Sequence, residues 1–483
     1  MVPSHTVPAD PDRCLELTGE GLVELLGRVG RRLAAHLDAL DDLPSWEPDG
    51  AQQAARAIAG TPLPEGGIDA EEALDLLFDR LIEPGFQTAG PGYLAFIPGG
   101  GLPEAAVADL IAGTLNRFVG VWEAVPGLAE LETTVVRWFC DLMGYPAAGG
   151  GFLTTGGSLA NWSALVTARR CRLGDDLAGG VLYASDQAHH SVTKAAVLAG
   201  FAPESVRVVP TAEDHGLRVD ALAEAVRADR AEGRRPFLVC ATAGTTNTGA
   251  IDDLDAVADL ARAEGLWMHV DAAYGGFFTL TERGAAALKG IERSDSVTLD
   301  PHKGLFLPYG TGCLLARDVE DLRRTHSVAA AYMPDLQEGE RVDFCEISPE
   351  LSRDCRGLRV WLPIALHGIG PFRENLDEKL DLARWAADEL REVEGLELVA
   401  EPRLSLVAFR IAGEGPKTEE RNRALLERVN ARKRFFITPT LLDGRFTLRI
   451  CVLSFRTHLD RVRECVEAVR EETAALLSER SAP

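Results

Sequence analysis

Between about residue 90 and residue 315, short apolar runs alternate with amphipathic stretches, and this alternation narrows the fold more than any other property of the chain. Val181–Ala184, Ser205–Val209, Phe237–Ala241, Trp267–Val270 and Ser296–Leu299 read as buried strands. Between them, Val219–Glu232 and Asp255–Glu264 repeat their apolar residues at helical spacing. Strands without a polar face need cover on both sides, so the pattern predicts an α/β fold, a mainly parallel sheet with helices on either face. In such sheets the functional groups gather at the carboxyl ends of the strands.

The flanks differ. Residues 1–85 predict a helical arm, with Leu22, Leu25, Leu26, Val29, Leu33 and Leu37 on one helical face and a second helix over Ala70–Ile82. An arm of this kind buries little by itself and is expected to pack on another subunit or on the body of the fold. Residues 86–369 form the large domain, within which 323–357 is polar, irregular and predicted to be a mobile loop. Residues 370–483 predict a smaller α+β domain: a helix over Gly370–Glu394, strands over Leu404–Ile411 and Phe446–Val452, and a helix over Leu459–Leu477.

Charge and cysteine usage exclude several classes of function. Fifty basic against 74 acidic residues leave a net charge of -24, and no dense Lys/Arg run offers a surface to nucleic acid or an anionic membrane. The nine cysteines stand singly, without C-x-x-C pairs or Cys/His spacing for a metal, which fits reduced thiols. No charged-then-apolar leader and no run of about 18 apolar residues is visible, so a cytoplasmic location is expected.

Five motifs carry chemistry. Asp300-Pro301-His302-Lys303-Gly304 follows the strand Ser296–Leu299 and places a lysine where a depressed pKa and carbonyl chemistry are expected. His269-Val270-Asp271-Ala272-Ala273 ends a strand in a carboxylate, which pairs with a cationic nitrogen or serves as a structural cap; Ala273 leaves room for a flat ring. Thr154-Thr155-Gly156-Gly157-Ser158 opens a helix whose apolar face includes Leu159, Trp162 and Val166, and its free N–H groups suit a phosphate as well as a tight turn. Ser185-Asp186-Gln187-Ala188-His189-His190 offers a histidine for stacking or for packing. Ala241 to Gly249 is a hydroxyl-rich strand end, a ligand contact or a polar turn. Neither a Walker A loop nor the G-x-G-x-x-G of a nicotinamide dehydrogenase is present.

In this order the five motifs resemble the group II pyridoxal-5′-phosphate (PLP) decarboxylases of fold type I, the family of aromatic-L-amino-acid, glutamate, histidine and tyrosine decarboxylases. The resemblance spans roughly residues 85 to 475. It implies a large domain built on a mainly parallel seven-stranded sheet, PLP as cofactor, a homodimer with the N-terminal arm exchanged, and an amino acid as substrate. Lys303 matches the lysine that carries PLP, Asp271 the partner of the pyridine nitrogen, and Ala273 the small residue beneath the ring. His189 matches the stacking histidine and Thr246 a hydroxyl near the cofactor. Gly156, Gly157 and Ser158, with Asp300 and His302, match the phosphate site.

One departure bears on the product. Counting back from Arg359-Val360-Trp361, the position of the family's loop tyrosine, which returns a proton to Cα, is Phe344. A phenylalanine there resembles the change that yields O2-consuming aldehyde synthases. On a shifted alignment Tyr332 or a histidine is the acid instead. Phe96, Ile97, Phe118 and Trp122 resemble pocket walls, apolar and interspersed with Gly99, Gly100 and Gly120 where bulkier residues could stand. They favour an aromatic or large apolar amino acid. Arg449 either reaches a ligand or pairs with an acid of the small domain. A PLP-fold aminotransferase or carbon–carbon lyase, and a non-catalytic scaffold, are the remaining readings.

Overall fold

The computed structural model describes residues 15–327 and 341–479, which divide after residue 87 into two compact units. In the first, the helix Gly19–Ala39 is capped by Thr18, whose hydroxyl accepts the Gly21 N–H at 3.1 Å. Its apolar residues keep helical spacing, yet none is buried, and Val23, Leu33 and Leu37 face outward. The run predicted as one helix over Ala70–Ile82 is α-helical only to Leu76 and widens into a π-turn over Leu77–Ile82.

The second unit holds a seven-stranded sheet: β1 Gly150–Thr154, β2 Gly180–Ser185, β3 Val206–Val209, β4 Arg235–Thr242, β5 Trp267–Asp271, β6 Ser296–Leu299 and β7 Gly312–Ala316. Their spatial order is β1-β7-β6-β5-β4-β2-β3, and only β7 runs against its neighbours. The five predicted strands are all present. Unpredicted β1 and β7 begin with glycines, which read as turns in a sequence but here permit close strand approach. A Cβ on Gly151 would lie 2.0 Å from the Leu314 carbonyl oxygen, and one on Gly312 would lie 2.5 Å from the Gly156 Cα.

The helix Gly157–Leu173 crosses this sheet, and here the expected apolar face is corrected. Leu159, Trp162 and Val166 are only half-buried; the buried face is Ala160, Asn161, Ala164, Leu165 and Ala168. Small side chains let the helix backbone settle close to the strands.

A four-stranded antiparallel sheet follows, ordered β8-β9-β11-β10, from β8 Leu396–Leu398, β9 Leu406–Ile411, β10 Thr438–Leu442 and β11 Arg445–Cys451. Helices Gly370–Arg391, Pro416–Ala431 and Leu459–Ser478 close its core around Phe409, Leu425, Leu448 and Val466. Much of the stretch expected to be irregular is ordered: Val319–His326 and Phe344–Ile347 are helical, and another helix starts at Arg356. Its centre, residues 328–340 with Tyr332, lies outside the described residues.

Candidate active site

Five strand ends of the large sheet converge on one cavity of about 290 Å³. The turn after β1 brings Gly156, Gly157 and Ser158; the segments after β2 and β4 bring His189 and Thr246. The end of β5 brings Asp271 and Ala273, and the turn after β6 brings Asp300, His302 and Lys303. Adjacent parallel strands β5 and β6 therefore deliver the acid and the lysine to the same side.

Lys303 Nζ lies 2.8 Å from Asp300 Oδ2. Burial works to lower its pKa, but Asp300 and then Asp271 outweigh burial, and the amine stands above its ordinary value. The expected depressed pKa is thereby corrected: an adjacent, buried carboxylate stabilises the cation. Asp300 Oδ1 is buried without a hydrogen-bond partner. Asp271 accepts the Ala273 N–H at 3.2 Å and an Asn161 amide N–H at 2.8 Å. His302 Nδ1 donates to the Thr311 carbonyl at 2.6 Å, and burial lowers its pKa, as it does that of His189.

Pyridoxal phosphate fits this cavity on three counts. The helix Gly157–Leu173 begins at Gly156 without a side-chain cap, leaving first-turn N–H groups for a phosphate. A Cβ on Gly157 would crowd the cradle, at 3.0 Å from Asp300 Oδ2 and 3.2 Å from the Ala273 Cβ. Asp271 and Lys303, a buried acid and an amine, share the remaining space.

Other expected residues stand elsewhere. Phe344 does not line the cavity and is corrected as a site residue. It is fully buried beside Phe152, Leu314, Leu322 and Ile347, with the Arg353 guanidinium 4.5 Å from its ring centre. The short helix Phe344–Ile347 carries it there, because its apolar side chains dock under β1 and β7. Phe96, Ile97, Phe118 and Trp122 also lie outside the cavity lining. Phe96 and Phe118 are exposed, Ile97 is buried, and Trp122 lies under Arg341.

The glycines among them are not vacant pocket wall. A Cβ on Gly99 would sit 2.1 Å from the His302 carbonyl oxygen, and one on Gly120 2.4 Å from that of Leu351. Both mark close backbone approaches. Arg449, on β11, donates to the Thr246 carbonyl and, at 3.0 Å, to the Thr438 hydroxyl, so its partners are a carbonyl and a hydroxyl rather than an acid. Its Nε is buried and unpartnered. Asn161 and Ser191 line the cavity without having been assigned a role from sequence. For Asn161 the available signal was an amide side chain on a helix face that also carries Ala160, Ala164 and Ala168.

Comparison with known proteins agrees with this geometry. The pyridoxal-dependent decarboxylase conserved domain matches residues 64–412. The chain is 34% identical to an aromatic-L-amino-acid decarboxylase of Bacillus atrophaeus, over 95% of its own length and 98% of the relative's. It is 30% identical to a phenylacetaldehyde synthase of Arabidopsis thaliana, over 86% and 89%. A crystal structure of Oryza sativa TDC with PLP and tryptamine superposes with a TM-score of 0.89 at 29% identity, covering 96% of this chain and 99% of that one. Fold and comparisons together define a PLP-dependent enzyme of fold type I. The chain belongs to the pyridoxal-dependent decarboxylase family and is an amino-acid decarboxylase.

Proposed function

We propose that the protein decarboxylates an aromatic or large apolar L-amino acid to its amine, with Lys303, Asp271 and His189 as the residues that act on cofactor and substrate. The observation that carries this reading is the meeting of Lys303 and Asp271 in one cavity at the ends of neighbouring strands. Bound there, PLP supplies an electron sink for the pair left on Cα as CO2 departs. Asp271, its carboxylate held by Asn161 and Ala273, keeps a proton on the pyridine nitrogen. Lys303 is the residue that would hold the cofactor covalently. Gly157, Ser158 and the helix terminus anchor the phosphate, with Gly156, Asp300, His302 and Thr246 shaping its surroundings. His189 would orient the departing carboxylate.

An amine product is favoured over an aldehyde because Phe344, whose position raised the oxidative alternative, is buried away from the cavity. That leaves Tyr332, outside the described residues, or a cavity histidine as the acid. The relatives named for aromatic amino acids support an aromatic substrate. The outward apolar face of Gly19–Ala39 supports a homodimer joined in part through the arm.

Two measurements test the reading. The purified protein should show a visible absorption band that borohydride abolishes, leaving reduced cofactor on the peptide containing Lys303. Aromatic L-amino acids should then give CO2 and amine in equal amounts without oxygen uptake. A colourless protein that takes up no PLP would sink the proposal, and aldehyde with peroxide would reinstate the oxidative alternative.

A further inference from the structure

Asp271, at the end of β5, and His189, in the segment after β2, are joined through two buried side chains, Asn161 and Ser191. Asn161 Nδ2 lies 2.8 Å from Asp271 Oδ2 and 2.9 Å from Ser191 Oγ, while its Oδ1 lies 3.0 Å from His269 Nε2. A carboxylate accepts, so the amide nitrogen must face Asp271, and the amide oxygen must accept from His269. His269 therefore carries its proton on Nε2, an N–H that Thr298 Oγ1 shares at 3.3 Å. Its Nδ1 becomes an acceptor, 2.8 Å from the Ser296 hydroxyl, which in turn accepts the Trp267 indole N–H at 2.8 Å.

The second branch has the same sense. The Ser191 hydroxyl accepts from Asn161 and lies 2.7 Å from His189 Nδ1, and the Ser191 backbone N–H donates to that nitrogen at 3.3 Å. Nδ1 of His189 is an acceptor twice over, so its proton sits on Nε2. The donors run one way, from Trp267 through Ser296 and His269 to Asn161, and fork there to Asp271 and, through Ser191, to His189. Asn161, His269, Ser191 and Ser296 are all buried.

We propose that Asn161 and His269 are positioning residues that impose one hydrogen-bond polarity on the cavity, aligning Asp271 toward the pyridine nitrogen and holding His189 as the Nε2–H tautomer, a donor to the substrate carboxylate. This inference rests on the PLP reading above. A network that merely satisfied buried polar groups would stabilise the fold without reaching the cofactor.

The test is histidine-selective ¹⁵N NMR of the wild-type holoenzyme, with cofactor affinity measured by equilibrium dialysis of variants. His189 and His269 should both be protonated at Nε2. Asn161→Ala and His269→Leu should weaken PLP binding roughly ten- to hundredfold, as loss of a hydrogen bond to a charged group does. They should also let His189 populate its other tautomer. His269→Gln, whose amide donates to Asn161 and accepts from Ser296, should restore affinity to within about threefold. Nδ1–H at His189 in the wild type would overturn the inference. So would a His269→Leu protein with wild-type affinity, or a glutamine no better than the leucine. A wild type that binds no PLP would overturn the parent reading instead, and the His189 tautomer in that protein would still decide the polarity of the chain.

Discussion

Phe344 and His269 mark what single residues of this sequence do and do not disclose. Phe344 met a motif position by counting, but a phenylalanine's preference for the interior sends it into the core beneath β1 and β7. Phe344→Ala should cost about 3–5 kcal/mol of stability by leaving a cavity, read by denaturant titration, while the amine-to-aldehyde ratio stays unchanged. Tyr332→Phe should instead raise oxygen uptake and aldehyde if that tyrosine supplies the proton. His269 passed as an ordinary strand residue because a histidine between apolar neighbours reads as packing, and only coordinates reveal its partner Asn161, 108 positions away. Burial pushes the His269 pKa from 6.5 down to about 4, with Asp271 offsetting part of the shift. The unfolded chain therefore takes up this proton as pH drops below 6.5, where the folded protein refuses it. The contribution of His269 to stability is complete above pH 6.5 and is lost as pH falls toward 4. Asp252, pushed by burial from 3.8 to about 6, acts oppositely, costing stability as pH rises through that range. Melting temperatures of His269→Gln from pH 6.5 to 4 should therefore fall less steeply than those of the wild type.

At the scale of elements, four of the five motifs were legible because each closes or follows β2, β4, β5 or β6, strands that announce themselves as apolar runs. Gly150, Gly151 and Gly312 concealed β1 and β7: glycine carries no strand preference, and its need here is set by atoms over 150 positions away in the chain, as with Gly151 against Leu314. Gly157 lies where both considerations meet, at the start of a helix and against Asp300. Gly157→Ala should leave that helix intact, since its backbone is not in the left-handed region. The added methyl group would narrow the phosphate cradle at 3.0 Å from Asp300 Oδ2. PLP affinity, followed by spectrophotometric titration, should drop roughly tenfold, an overpacking cost of ~1–2 kcal/mol.

For the whole molecule, no helix among the described residues is long and apolar enough to cross a membrane. Assembly is the property that a helical repeat only hints at. The apolar stripe of Gly19–Ala39 has the spacing of a packed face, and Val23 remains 70% exposed and Leu33 47% exposed. Charges introduced there, as Val23→Glu with Leu33→Glu, should shift the mass in sedimentation from dimer to monomer at low micromolar concentration without altering the helical circular dichroism. A wild type already monomeric at high concentration would remove the basis for a shared arm. The guanidinium on β11 has a consequence of its own. By grasping the Thr246 carbonyl, it fastens the rim of the catalytic chamber to the antiparallel sheet, and Thr440 reinforces the tie through Asn247 at 2.7 Å. The C-terminal sheet is thus a buttress for the chamber, and a lesion in its packing would be felt as a loosened wall around the cofactor long before the larger sheet came apart.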